Sequence, residues 1–313
     1  MAYLLEVTNL TKHYQVANFF QKPKVVRALD GISFTLNVGD TLAIVGESGC
    51  GKSTLAKTIL GIEQKTAGEI FSEGKKVEEI SRSEFIKSVQ MIFQDPYSSL
   101  NPRQKAWEII AEPLYANLQL SRADLRSRVL ELMKSVGLRE DFAERYPHMF
   151  SGGQRQRIGI ARALTLHPKI LICDEPISAL DVSIQAQVLN LLMELQARLQ
   201  LSYLFIGHNL NVVRHIATHV LVMYLGKVAE YGPVKAIFEN PQHPYTQALL
   251  QSTPSIKSRK KFEAIEGELP SPFFPPSGCA FHLRCKKATA HCRQTAPQLL
   301  VDRDGRQVAC LNL

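Results

Sequence analysis

One stretch, Gly46-Glu47-Ser48-Gly49-Cys50-Gly51-Lys52-Ser53-Thr54, limits the possible folds of this chain more than any other. It fits the pattern G-x-x-x-x-G-K-[ST], and its surroundings fit as well. Before it, Thr41-Leu-Ala-Ile-Val45 is an apolar, partly β-branched run that reads as a buried strand. After it, Leu55, Ile59 and Leu60 recur at helical spacing from Lys52 onward. Between strand and helix, the glycines let the backbone turn its N–H groups inward around an anion, and the helix N-terminus adds partial positive charge. Lys52 is then placed to reach the β- and γ-phosphates of a nucleotide, and the Ser53 hydroxyl to ligate Mg²⁺. A glycine-rich turn without a ligand would require neither the strand before it nor the helix after it.

Two later stretches complement the first. Ile170-Leu-Ile-Cys173 reads as a core strand ending on Asp174 and Glu175. Strands often end in acidic turn residues, so the pair gains its weight from following a phosphate loop. Asp174 suits the Mg²⁺ shell, and Glu175 is then placed to polarise an attacking water as general base. Ser151, Gly152, Gly153 and Gln154 offer a small, polar, flexible surface that suits a γ-phosphate approached from outside. A chain carrying both phosphate surfaces looks like half of a composite ATP site.

At 313 residues and 45% hydrophobic, the chain can bury one α/β core with an appendage, but not two such domains. No run approaches the roughly eighteen apolar residues of a membrane span, and the N-terminus lacks a secretory pattern, so a soluble cytosolic protein is expected. The net charge of +8 comes from dispersed basic residues without a groove-reading or base-stacking motif. Attraction to ATP and to an anionic membrane face accounts for its sign, and no nucleic-acid partner is expected.

Residues 1 to about 40 read as strands, with Asn18 to Val25, including Phe19, Phe20 and Pro23, as an inserted loop. Residues from about 97 to 150 read as helical. Ser121 and Asp124 cap a segment whose Leu125, Val129, Leu132, Met133 and Val136 share one face, and Gly137 stops it. Val182 to Leu199 repeats the amphipathic pattern, and strands resume at Tyr203 and Val220. Beyond Asn240, Pro241, Pro244, Pro254, Pro270, Pro272, Pro275 and Pro276 deny long helices. Cys279, Cys285, Cys292 and Cys310 follow there at C-x5-C-x6-C-x17-C spacing. A reducing cytosol disfavours disulfides, and zinc favours C-x2-C pairs that are absent. Four thiolates on a proline-rigid loop can hold an iron–sulfur cluster, or they can pack unligated in a small appendage. Cys50 and Cys173 read as ordinary small residues within the motifs already described.

These motifs, in this order, resemble the ATP-binding cassette (ABC) family. The resemblance implies further roles: Gln94, in Met91-Ile-Phe-Gln-Asp-Pro-Tyr97, as the glutamine that touches Mg²⁺ and senses a membrane partner; Asp181, in Ser178-Ala-Leu-Asp181, as part of the loop crossing a dimer interface; His208 as the histidine that contacts the γ-phosphate; and Tyr14 as the aromatic stacked on adenine. The chain departs from the family pattern at Phe150, where leucine is usual, and at Gly207 and Asn209, which flank His208 in place of Ser or Thr and Asp. Phe93 to Arg103, Met223 to Gly226, Asn240 to Leu250, Leu269-Pro-Ser-Pro272 and Pro276 to Cys285 narrow the likeness to the oligopeptide and dipeptide permease ATPases, and within them to the F-type ATPases of bacterial dipeptide permeases.

That resemblance implies an α/β fold: a P-loop NTPase core with an antiparallel β subdomain, an α-helical subdomain at about 97–162, and a small cysteine-containing extension. The expected boundaries are an ATP-binding domain over 1–240 and the extension over 241–313. It implies an ATPase using Mg²⁺, with Lys52, Gln94, Glu175 and His208 catalytic, residues 46–54 with Asp174 around the nucleotide, and Ser151 to Gln154 serving the opposing subunit. It also implies a [4Fe–4S] cluster on the four cysteines. The implied partners are a second ATPase in a heterodimer, two transmembrane permease subunits, and indirectly a periplasmic binding protein. The implied location is peripheral, on the cytoplasmic face of the bacterial inner membrane. The implied function is energising di- or oligopeptide import, with nickel, haem or antimicrobial peptides as alternative cargoes. A soluble ABC ATPase of DNA repair or translation would need a coiled-coil insertion or paired cassettes. A regulatory module with a dead site would need Lys52 or Glu175 replaced.

Overall fold

The computed structural model describes residues 3–18, 21–252, 265–302 and 305–313. They form two compact units: one from the described residues of 1–36, 41–76 and 208–313, the other from 37–40 and 77–207.

The first unit opens with a long hairpin, Leu5–Asn18 against Gln21–Leu36, with Leu5 opposite Leu36 at its base. The inserted loop expected at Asn18 to Val25 is therefore largely strand. Val25 pairs with Gln15 and Val26 with Tyr14, and the β-branched residues of both arms suit the pleated ladder. Phe19 and Phe20 lie outside the described residues. Ala67–Ser72 and Lys75–Lys76 extend this antiparallel sheet.

Thr41–Val45 is buried at all five positions and runs parallel to His219–Tyr224, which explains its unbroken apolar composition. His219–Tyr224 turns back into Lys227–Pro233 through Leu225 and Gly226, at φ 45° and 75°. Positive φ at both central residues is the requirement of a type I′ hairpin turn. The Gly226 amide then donates to the Cys50 carbonyl at 2.9 Å, tying this turn to the glycine loop.

Among its described residues the extension has only short helices, Pro244–Gln251 and Ala290–Gln294, with Pro244 in the first turn of the former, where its missing N–H costs nothing. Pro254 lies outside the described residues. The fully buried Glu230 accepts from the Gln242 and His243 amides at 2.9 and 3.0 Å, and Arg306 lies 4.0 Å away. His243 caps Pro244–Gln251 through Nδ1, which accepts from the Tyr245 amide at 3.0 Å. Burial pushes the His243 imidazole down from 6.5 to about 4. The folded chain thus refuses a proton that the unfolded chain accepts between those values. Stability contributed by neutral His243 is complete above pH 6.5 and falls away as pH drops toward 4. The expected loss is about 3 kcal/mol, visible as a fall in urea midpoint that His243→Gln abolishes.

The second unit is built on three parallel strands, Val89–Ile92, Ile170–Asp174 and Ser202–Ile206, with Ile170–Asp174 in the middle and wholly buried. Ala106–Asn117, Arg122–Ser135 and Gly152–Leu164 pack on one another as helices, and Val182–Leu199 packs on Gly152–Leu164. Ser121 caps Arg122–Ser135 through the Asp124 amide, and Leu125, Val129, Met133 and Val136 are buried while Leu132 is half-buried. Val182–Leu199 has the bounds its amphipathic pattern marks, and buries Val188, Leu192 and Leu195. Among the described residues, no helix is long and apolar enough to cross a membrane.

Candidate active site

In the first unit, the glycine loop leads from Thr41–Val45 into the helix Lys52–Ile59, with Gly51 as its N-cap at φ 106°. The loop is closely boxed. A Cβ on Gly46, at φ 151°, would lie 2.2 Å from the Met223 carbonyl oxygen, and one on Gly51 would lie 2.3 Å from that of Ala28. Only glycine fits either position. Lys52 is 7% exposed, and its Nζ donates to the carbonyls of Gly46 at 2.8 Å and Glu47 at 3.0 Å, with Cys50 Sγ at 3.8 Å. Among the described residues no carboxylate pairs with it. A buried ammonium met by dipoles alone is a centre of positive potential at the mouth of the loop, as an anion site requires. The Cys50 thiol is pushed up by burial against the opposing pull of Lys52, so it is an inert small residue. Ser48 and Gly49 are exposed, while Ser53 and Thr54 are half-buried in the helix's first turn.

The extension also touches this loop. The Glu47 amide donates to Tyr245 Oη at 2.9 Å, and Arg284 grips the Glu47 carboxylate with Nη1 at 2.5 Å and Nη2 at 3.0 Å. Tyr14 is half-buried in the hairpin with Lys12 Nζ 4.6 Å above its ring. His208 is exposed, and Asn209 N-caps Leu210–Ile216 through the Asn211 and Val212 amides. A helix cap is thus what Asn209 supplies, a task that aspartate performs equally well.

In the second unit, Asp174 closes the central strand and is 5% exposed. Glu175 follows at φ 45°, a conformation that costs a non-glycine residue on the order of 1–3 kcal/mol. Its amide donates to Ile206 at 3.0 Å, and its carbonyl accepts from Ser178 Oγ at 3.0 Å, so the backbone is held from both sides. Its carboxylate accepts from Gln94 Nε2 at 3.1 Å. The structure thus brings Gln94 and Glu175 together. Cys173, wholly buried beside Asp174, has its thiol pushed far up by burial and then by that carboxylate. Ser151 and Gln154 form a capping box at the start of Gly152–Leu164: Ser151 Oγ accepts from the Gln154 amide at 3.3 Å and Gln154 Oε1 from the Ser151 amide at 3.1 Å. This leaves Ser151 exposed at a helix N-terminus, where the backbone favours anions. Asp181 is exposed at the N-cap position of Val182–Leu199, and its side chain makes no capping hydrogen bond to that helix.

The four later cysteines are close enough to influence one another. Burial pushes the Cys279 and Cys285 thiols up, and the neighbouring sulfurs push the same way. Cys292 is held below the usual thiol range by hydrogen bonding to Thr289, 3.3 Å from its sulfur. Asn312 donates to Cys292 and Cys310 sulfurs, both at 3.4 Å. Thiolate sulfur is the donor type that iron–sulfur clusters use. However, among the described residues no group of three or more His, Cys, Asp or Glu converges as a metal-holding set, so the expected [4Fe–4S] cluster gains no geometric support.

Residues 29–178 match the family described as ABC transporter, and 229–292 match the oligopeptide/dipeptide transporter, C-terminal region. The chain is 55% identical to a di/tripeptide transport ATP-binding protein, DppF, of Pseudomonas aeruginosa, over 99% of this chain and 98% of that one. It belongs to the ABC transporter ATP-binding proteins. The oligopeptide transport ATP-binding protein OppF of Salmonella typhimurium is 51% identical over 95% and 92% of the two chains. Among solved structures, the ATP-binding cassette MJ0796, a dimer in a post-hydrolysis state bound to ADP and Pi, superposes with a TM-score of 0.65 at 29% identity, covering 74% of this chain and 98% of that one. The ABC ATPase fold and the ATPase activity expected from the motifs therefore hold. Arg284, Tyr245 and Tyr224 were not marked by sequence reasoning. Tyr245 and Arg284 lie within the stretches that carry the permease likeness, but nothing in those stretches points to residue 47.

Proposed function

We propose that this ABC ATPase energises the import of dipeptides or oligopeptides from the cytoplasmic face of a bacterial inner membrane. It would pair with a second ATPase beneath two transmembrane subunits, with a periplasmic binding protein delivering substrate. The observation that carries this reading is the near end-to-end match, at 51–55% identity, to transport ATP-binding proteins, together with a match to the oligopeptide/dipeptide transporter C-terminal region. The proposed domains are 1–240 for ATP binding and 241–313 for the extension.

In this reading the phosphates lie in the loop 46–54, against Lys52, with Tyr14 at the adenine. Ser53, Gln94 and Asp174 would hold Mg²⁺, which supplies charge neutralisation at the phosphate oxygens. A buried carboxylate ending a strand, as Asp174 does, suits that ion. Glu175 takes a proton from the attacking water, and Gln94 orients its carboxylate for the task. His208 contacts the γ-phosphate. Ser151, Gly152, Gly153 and Gln154 present a helix N-terminus to the nucleotide of the opposing subunit, and Asp181 lies at that dimer interface. Loss of the bridging γ-phosphate then opens the dimer, because ATP and ADP differ in their affinity for the closed state.

A [4Fe–4S] cluster on Cys279, Cys285, Cys292 and Cys310 is the finer reading of the extension. Donor chemistry supports it, and the visible absorbance of anaerobically purified protein tests it. Cargo is tested by uptake in a strain lacking this gene. Dipeptide uptake is expected to fall to background and to return on re-expression. Unchanged peptide uptake with a loss of nickel or haem uptake would overturn the assignment.

A further inference from the structure

Glu47 is an acid within a loop that binds an anion. A bare carboxylate there would repel a triphosphate, yet its backbone is part of the loop itself. Arg284 resolves the conflict. Its side chain is 5% exposed, and its guanidinium takes both oxygens of Glu47, a residue 237 positions away in the sequence. The fork geometry fixes the carboxylate's direction as well as cancelling its charge. Tyr224 Oη lies 3.5 Å from Arg284 Nη1. Below the pair, Tyr224, Tyr245 and Phe281 form a buried cluster with ring centroids 4.7 to 5.3 Å apart. Tyr245 is wholly buried and accepts the Glu47 amide. The first residue after Gly46 is thus gripped at its amide and its carboxylate by side chains of the C-terminal region.

We propose that the extension is a working wall of the nucleotide site. Tyr245 is a positioning residue that holds the phosphate loop at the Glu47 amide, and Arg284 cancels the Glu47 charge, keeping the loop's net charge favourable to a triphosphate. This inference rests on residues 46–54 being the ATP loop. It gives the extension a role in ATP affinity in addition to any role of its cysteines.

The test is calorimetric titration of the full chain with ATP and Mg²⁺. A pair that only fastens the extension in place predicts that losing either partner weakens binding. Charge compensation predicts opposite signs. Arg284→Met leaves the carboxylate unopposed and is expected to weaken ATP binding about tenfold, and ADP binding less. Glu47→Gln leaves the guanidinium unopposed and is expected to tighten ATP binding about threefold. The double variant returns to near the wild-type affinity, and Arg284→Lys, which keeps the charge without the fork, loses less than Arg284→Met. Weaker binding by Glu47→Gln, or wild-type binding by Arg284→Met, overturns the inference. Should Arg284→Met fail to fold, the sign of the Glu47→Gln effect decides alone. Failure of the wild-type chain to bind ATP would instead remove the reading of the loop, and this inference with it.

Discussion

Glu175→Gln is expected to bind ATP as the parent chain does and to release phosphate about two to four orders of magnitude more slowly, the usual contribution of a positioned general base. The substitution keeps the size of the side chain and removes only its capacity to take a proton. The left-handed backbone at residue 175 is held by Ile206 and Ser178, contacts that an amide side chain leaves untouched. The contact with Gln94, 3.1 Å in the parent, can persist because a glutamine carbonyl also accepts from Nε2. Binding and chemistry should therefore separate cleanly, read by equilibrium nucleotide binding beside rapid-mixing phosphate release on the assembled ATPase dimer. Phosphate release at the parent rate would remove Glu175 from the mechanism.

Lys52→Met is expected to have the complementary effect. ATP affinity should fall by roughly a hundredfold, since one or two charge-assisted bonds to phosphate oxygens, worth about 3 kcal/mol together, are lost. Folding stability should change little, because the ammonium sits at 7% exposure with carbonyls and a thiol as neighbours and contributes little to the folded state there. Thermal melting without nucleotide should stay near that of the parent, while the upward shift produced by ATP in the parent disappears. A large drop in the nucleotide-free melting temperature would mean that Lys52 serves the fold more than the ligand.

The parts of this molecule that were legible in the sequence are those with local causes. Thr41–Val45 and Ile170–Asp174 are central parallel strands, and burial on both faces writes itself as an unbroken apolar run. Gly46 and Gly51 stand where a side chain would strike a neighbouring carbonyl, so the loop's pattern reports its geometry directly. Val182–Leu199 carries its period along its whole length. The hairpin from Leu5 to Leu36 was less legible, because the polar residues around Pro23 look like a loop and the pairing that makes them strand lies in the opposite arm. Ser151 and Gln154 have the spacing of a capping box, but their glycine neighbours drew attention to a ligand; the structure shows the cap, which also leaves Ser151 exposed. Asn209 looked like a deviation beside His208 and proves to be a helix cap. The grip of Arg284 on Glu47 was beyond reach, since no periodicity links residues so far apart in the chain.

The central claim is that ATP hydrolysis by this chain drives peptide import. It is tested most directly in vesicles containing the assembled transporter, with dipeptide accumulation and phosphate release followed in the same sample. With the parent chain, both should proceed together and depend on the loaded binding protein. With Glu175→Gln as the sole change, both should fall together while nucleotide remains bound. Continued accumulation of dipeptide without phosphate release would contradict the account.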